Sequence, residues 1–202
     1  MAERLNGCVD QCRRYLEAGS LDGDLRDLLE QWTGMILLHD PDLIGLSIMY
    51  PRQVLVSLAL AKFLADTPRA EKRRIVLGGA TVSALNADEM LKACPFVDAV
   101  CGGEGEAALR MLCRAEPFER ICGLSYRVGG RIVTNRQPNT LSLTEVPMPS
   151  FASIDLAAYF NPSPVLPVVF SRGCMWRKCR FCAHNFSYSG CWTSAPRALE
   201  WK

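Results

Sequence analysis

Three short apolar runs that alternate with helical stretches, two of them ending in glycine pairs, constrain this chain more than any other feature. Leu43-Ile44-Gly45-Leu46-Ser47-Ile48-Met49, Arg74-Ile75-Val76-Leu77 and Val97 to Cys101 have the length and β-branched content of strands. Val54 to Leu64, Asn86 to Cys94 and Ala107 to Arg114 have the character of helices. Strands alternating with helices predict a parallel α/β sheet with flanking helices, and the first run is expected to be buried on both faces. Ligands of such a sheet bind beyond the carboxyl ends of the strands. There the chain carries Gly78-Gly79 and Gly102-Gly103-Glu104-Gly105-Glu106. Without a Cβ, glycine lets the backbone turn sharply and approach a ligand closely. Plain turn chemistry explains the same glycines, and the helix dipole explains Glu104 and Glu106 at a helix start.

Ahead of the first strand, Leu5, Cys8, Cys12, Tyr15 and Leu16 share one helix face. A second helix follows Gly19-Ser20, over Leu21 to Leu38, with Leu25, Leu28, Leu29 and Trp32 on its face. Asp40-Pro41-Asp42 breaks it, which leaves His39 at its C-terminus, where a cation suits the dipole. From Ile121 the pattern turns to a hairpin, Leu124 to Val128 and Arg131 to Thr134 around Gly129-Gly130. The expected organisation is an α/β domain over 1–135, a linker over 136–163 with prolines at 138, 147 and 149, and a further segment over 164–202.

In that last segment Cys174, Cys179 and Cys182 fall within nine residues, beside Arg172, Arg177, Lys178 and Arg180. The preceding run Val165-Leu166-Pro167-Val168-Val169-Phe170 predicts a buried strand that delivers the thiols on the loop at its end. Three thiols that close can share one metal centre. Iron–sulfur clusters are usually held by four Cys thiolates, so three protein ligands would leave one iron open. A structural zinc completed by His184 is the alternative, although no second Cys or His pair follows. Ordinary core thiols would not be surrounded by four cations.

The chain's 202 residues and 49% hydrophobic content suffice for one good core and the start of a second. A net charge of +2 excludes the basic field that would make nucleic acid the leading partner. No run approaches the ~18 apolar residues of a membrane span, and Glu3 and Arg4 interrupt any signal-peptide core. Of ten cysteines, three are clustered and the rest are scattered through helices and strands, which fits a reducing, cytoplasmic compartment.

Ser171-Arg172-Gly173-Cys174 followed by Cys179-Arg180-Phe181-Cys182 resembles the cluster loop of the radical S-adenosylmethionine (SAM) superfamily. The resemblance implies that Cys174, Cys179 and Cys182 bind a 4Fe-4S cluster, that SAM chelates the open iron, and that Phe181 lies by the adenine. Four residues separate the first two cysteines here, where the superfamily usually has three. Ile44-Gly45-Leu46-Ser47, Leu77-Gly78-Gly79-Ala80-Thr81 and Gly103-Glu104-Gly105-Glu106, in this order ahead of such a loop, are similar to the cobalamin-binding domain found in front of many radical SAM enzymes. A flavodoxin-like or Rossmann-like sheet is thereby implied, with Gly45, Ser47, Gly78, Gly79 and Thr81 at the cobalamin tail and Gly103, Glu104, Gly105 and Glu106 as further cofactor-binding residues. Two features depart from that pattern. No first strand is visible ahead of Arg4, and the Asp-x-His-x-x-Gly motif that supplies a lower histidine ligand is absent. Cobalamin is therefore expected to bind with its own base displaced and without histidine on the lower face.

Pro147-Met148-Pro149 and Phe151 to Tyr159 resemble the family's connector, and residues 164–202 the first strand and cluster loop of an incomplete radical SAM barrel. Only 20 residues follow Cys182, against on the order of 200 for a β/α barrel. The expectation is a truncated member, and the alternative is a barrel supplied by a second polypeptide. The activity implied is one-electron reduction of SAM to a deoxyadenosyl radical, hydrogen abstraction from an unactivated carbon, and methyl transfer from cobalamin. Family resemblance further implies C-methylation or a related radical modification of a peptide or small-molecule substrate, fed by an external electron donor such as flavodoxin or ferredoxin. Tyr50-Pro51-Arg52-Gln53 leans toward peptide natural products. From another class, the competing function is a non-catalytic cobalamin- or nucleotide-binding module carrying a structural zinc.

Overall fold

A computed structural model of the chain describes residues 2–21, 23–135, 142–143, 146, 149–159, 163, 165–166, 169–182 and 192–194, with side chains in the first helix from Val9 onward. It divides into two compact units, Met1–Asn139 and Thr140–Lys202. The first begins with two helices, α1 (Ala2–Ala18) and α2 (Gly23–Leu37). Strand β1 (Leu43–Ser47) leads through a 3-10 turn at Pro51–Gln53 into α3 (Val54–Ala65). Then come β2 (Arg74–Gly78), α4 (Ala80–Ser83), α5 (Ala87–Ala93), β3 (Ala99–Cys101), α6 (Gly105–Cys113), β4 (Leu124–Val128) and β5 (Arg131–Thr134).

The five strands form one sheet in the order β1-β2-β3-β4-β5. β1, β2 and β3 run parallel, with Leu43 opposite Arg74 and Val76 opposite Ala99. The expected hairpin corrects the all-parallel reading, because it completes the sheet instead of standing after it. Residues 114–123 return the chain to the C-terminal end of β3, where Gly102 N–H donates to Gly123 O at 2.9 Å. β4 therefore enters antiparallel to β3, pairing its otherwise open edge, with Cys101 opposite Leu124.

Alternation along the strands sends side chains to two cores. On one face Ile44, Ile75, Leu77 and Val100 pack with Ala59, Leu60, Ala61 and Leu64 of α3 and with Met90 and Leu91 of α5. α3 is apolar nearly all round because α1 and α2 cover its other side, through Cys12, Tyr15, Leu25 and Leu29. On the opposite face Val76, Ala99, Cys101, Leu124 and Tyr126 pack with Ala108 of α6. β1 reaches this second core only through partly buried Leu43, and Gly45 and Ser47 are exposed. The expectation of a first strand buried on both faces is thus corrected: α6 lies over β3 and β4, so the edge strand keeps one face open.

Asn86 caps α5, its side chain accepting Asp88 N–H at 3.0 Å and Glu89 N–H at 3.3 Å. The other end of α5 meets the Arg127 guanidinium, which donates to Leu91 O, to Cys94 O at 2.8 Å and to Val97 O. A cation suits that end of the dipole, and Leu91 O has no intrahelical donor because Pro95, four residues on, carries no N–H. His39 sits exposed in the turn after α2.

In the second unit, Asp155 caps a 3-10 turn at Leu156–Ala158 and β6 (Ser171–Arg172) pairs antiparallel with β7 (Thr193–Ser194). The strand expected over 165–170 is a further correction. Among the described residues of that run none is in a strand, and Val165, Leu166, Val169 and Phe170 are all exposed. Branched apolar residues hold a strand only with a ladder partner and a face to bury, and here pairing extends over two residues. Much of the expected linker, His184 and most of the stretch after it lie outside the described residues. No helix among the described residues is long and apolar enough to cross a membrane.

Candidate functional site

The open face of β1 and β2 ends in a trough of small residues. Ser47 stands opposite Gly78 in the register, and a Cβ on Gly78 would lie 3.8 Å from the Cβ of Cys101 on β3. Gly45 lies on the same face of β1, and a Cβ added there would meet nothing within 4 Å. Cys101 borders this row from beneath α6. Burial first, and the Glu106 charge second, push its thiol up to about 11, so it is neutral near pH 7.

Three loops stand around the trough at the strand ends. After β1, Ile48 N–H donates to Gly78 O at 2.7 Å, and Ile48 O accepts Thr81 N–H at 3.1 Å. The Gln53 side-chain oxygen accepts both Met49 and Tyr50 N–H at 3.0 Å, which fixes that loop with the Met49 and Tyr50 side chains exposed. After β2, Gly79 has φ +102°, and a Cβ there would lie 2.6 Å from Ile48 O and 2.7 Å from Ile48 N. Contact between two loops therefore requires this glycine, and Ile48 fills the space a side chain would take. After β3, Gly103 has φ +79° and donates its N–H to Ser83 Oγ at 3.0 Å. Glu104 is buried at the N-cap of α6, where the dipole favours a carboxylate, while Gly105 and Glu106 are exposed.

The structure thus brings Gly45, Ser47 and Gly78 together on one face, and sets Gly79, Thr81, Gly103 and Glu104 at the strand ends, with Gly105 and Glu106 opening α6. Sequence reasoning missed Gln53, Ser83 and Cys101. Ser83 closes a four-residue helix too short to show a period. Gln53 carried one signal, its place just behind a turn proline. A separate cavity of about 240 Å³, lined by residues including Ile44, Arg73, Phe96 and Asp98, contains Asp98, which caps the start of β2, its carboxylate accepting Ile75 N–H at 2.7 Å.

In the second unit Cys174, Cys179 and Cys182 are half-buried on one loop, with Gly173 at φ +78° and Arg177 at φ +51°. Arg177 Nε donates to Cys174 O at 3.3 Å, and Cys182 N–H donates to Cys179 O at 3.4 Å. Backbone N–H groups of Arg177 and Trp176 lower the Cys174 thiol below its ordinary value, the direction that favours a thiolate ligand. Lys178 Nζ lies 5.0 Å from the centre of the Trp176 ring, and Phe181 is 92% exposed. Among the described residues no three His, Cys, Asp or Glu side chains gather in a group that could hold a metal ion. Thiolates of this kind ligate iron–sulfur clusters and zinc alike, and the loop as it stands does not converge its sulfurs.

No protein-family model matches the chain. An uncharacterized methyltransferase of Pyrococcus horikoshii is 29% identical to it over 194 residues, which cover 89% of this chain and 40% of the relative. The 4'-phospho-dehydrooxetanocin synthase of Priestia megaterium is 25% identical over 193 residues, covering 90% of this chain and 26% of the relative. Among solved structures, the apo form of the cobalamin-dependent S-adenosylmethionine radical enzyme OxsB matches with a TM-score of 0.66 and 24% identity, over 82% of this chain and 23% of that one. The chain shares the fold of the part of that structure it matches. It spans less than half the length of the two curated relatives.

Proposed function

We propose that this chain holds cobalamin on the open face of its first unit and an iron–sulfur cluster on the cysteine loop of its second, as part of a methylation-related radical SAM enzyme. One observation carries the reading: the uncovered trough at Gly45, Ser47 and Gly78, floored by residues whose missing or small side chains leave room for a flat ligand against the sheet. The kinds of protein that resemble the chain support the same reading. Cobalamin's tail would lie along that floor, with the loops at Thr81 and at Gly103 to Glu106 beside it. Cys174, Cys179 and Cys182 would hold a 4Fe-4S cluster, with Phe181 near the adenine of SAM. When bound, these groups supply one-electron and methyl-transfer chemistry; the chain's own part is to bind, orient and exclude water. The substrate class is a peptide or small molecule, and the reductant an external flavodoxin- or ferredoxin-type donor.

Two measurements test this. Hydroxocobalamin titrated into the purified chain should bind stoichiometrically, with a spectrum free of histidine coordination that His39→Ala leaves unchanged. Anaerobic reconstitution with iron and sulfide should give a brown protein with close to four irons. A colourless protein with stoichiometric zinc would refute the cluster assignment.

A further inference from the structure

Two glycine loops at the trough are tied to each other by one side chain. Ser83, the last residue of α4, donates its hydroxyl to Gly79 O at 3.1 Å and accepts Gly103 N–H at 3.0 Å. The order of these bonds is fixed by chemistry: an amide N–H only donates and a carbonyl only accepts, so the hydroxyl must receive from Gly103 and give to Gly79. Main-chain bonds join the loop after β2 to β1, through Ile48, and the loop after β3 to β4, through Gly102 and Gly123. The Ser83 hydroxyl bonds the two loops to each other directly. Gly79 and Gly103 both have positive φ, at +102° and +79°, and glycine has no steric preference of its own that would hold either loop there.

We propose that Ser83 is a positioning residue for the cofactor: it sets the spacing between the loops after β2 and β3, so that both present their backbone to one ligand. The proposal rests on the cobalamin reading of this face. Ser83 acts through Gly79 and Gly103 and need not touch the ligand. Losing the hydroxyl frees the Gly103 amide and lets the short loop from Gly102 to Glu104, ahead of α6, shift from the β2 loop.

The test compares the 202-residue chain with its Ser83→Ala and Ser83→Thr variants. Three readouts are taken: hydrogen exchange at the Gly103 amide, hydroxocobalamin affinity by absorbance titration, and the thermal midpoint. Ser83→Ala should speed Gly103 exchange and weaken hydroxocobalamin binding roughly tenfold at a temperature where both proteins are fully folded. Ser83→Thr, which keeps the hydroxyl, should restore both. Should Ser83→Ala not fold, Ser83→Cys preserves the volume with much weaker hydrogen bonds and gives the same comparison. A lower thermal midpoint with unchanged affinity, or unchanged Gly103 exchange, would overturn the proposal. Failure of the wild-type chain to bind hydroxocobalamin would overturn the reading of the face and this proposal with it. Binding by the wild type that Ser83→Ala leaves untouched would overturn the proposal alone.

Discussion

Single residues fix this fold at points where a polar group or a missing atom has no substitute. Arg127 is one, since its planar fork meets three carbonyls at the end of α5 at once. Arg127→Met should destabilise the first unit by about 2 kcal/mol, and Arg127→Lys should recover little, because an ammonium cannot reproduce the fork. Urea unfolding followed by circular dichroism measures both. Gly79 is another: Gly79→Ala places a Cβ 2.6 Å from Ile48 O at a φ that side chains rarely adopt, and should cost at least about 2 kcal/mol. Alkaline pH probes a third kind of residue. Tyr15, buried and bonded to Asp66 at 3.3 Å, has its hydroxyl pushed up to about 12 from 10.0, and Cys101 is pushed up to about 11 from 9.0. Both are acids whose neutral form the fold favours. Their contribution is full below the unfolded value and is lost as pH rises toward the folded one, from 9 to about 11 for Cys101 and from 10 to about 12 for Tyr15. Stability measured against pH should fall across this range, and Cys101→Ala and Tyr15→Phe should each flatten their own part of the decline.

At the scale of elements, the site is a consequence of what α6 does not cover. In Leu43 to Met49, Ile44, Leu46 and Ile48 alternate with Gly45 and Ser47, which hints at two unlike faces, but those residues alone do not say that the second face stays open. That is decided by α6 packing through Ala108 over β3 and β4. Strand and helix periods and the glycines at the strand ends were legible because each is a local property of the chain. The hairpin's place in the sheet was not, since it depends on residues 114–123 returning the chain to Gly102. The run at 165–170 was misread for the same reason, its composition favouring a strand for which the described residues of the second unit show pairing over only two positions. The open face gives a prediction of its own. Gly45→Val adds a side chain into empty space at an ordinary strand φ, with better β propensity than glycine. It should leave unfolding unchanged or slightly raise stability, while abolishing hydroxocobalamin binding by filling the trough. Tight binding by a stable Gly45→Val protein would show that the ligand lies elsewhere.

For the molecule as a whole, each compact unit carries its own candidate donors. The small-residue face belongs to Met1–Asn139, and the three clustered thiols belong to Thr140–Lys202. The first has a sheet with a core on each face, while the described part of the second is held by a two-residue bridge, a capped turn and loop contacts. The two loadings should therefore separate. In a variant with Cys174, Cys179 and Cys182 all changed to Ala, anaerobic reconstitution should incorporate no iron–sulfur cluster, since no other three thiols of the chain are so close in sequence. Hydroxocobalamin affinity and the main unfolding transition should stay at wild-type values, because none of the residues forming the trough or the two cores of the first unit is altered. Iron assay, absorbance titration and calorimetry on the same preparation decide the matter. A cobalamin affinity that falls with the cysteines would mean that the cofactor draws on the second unit as well, and would move its site off the sheet face alone.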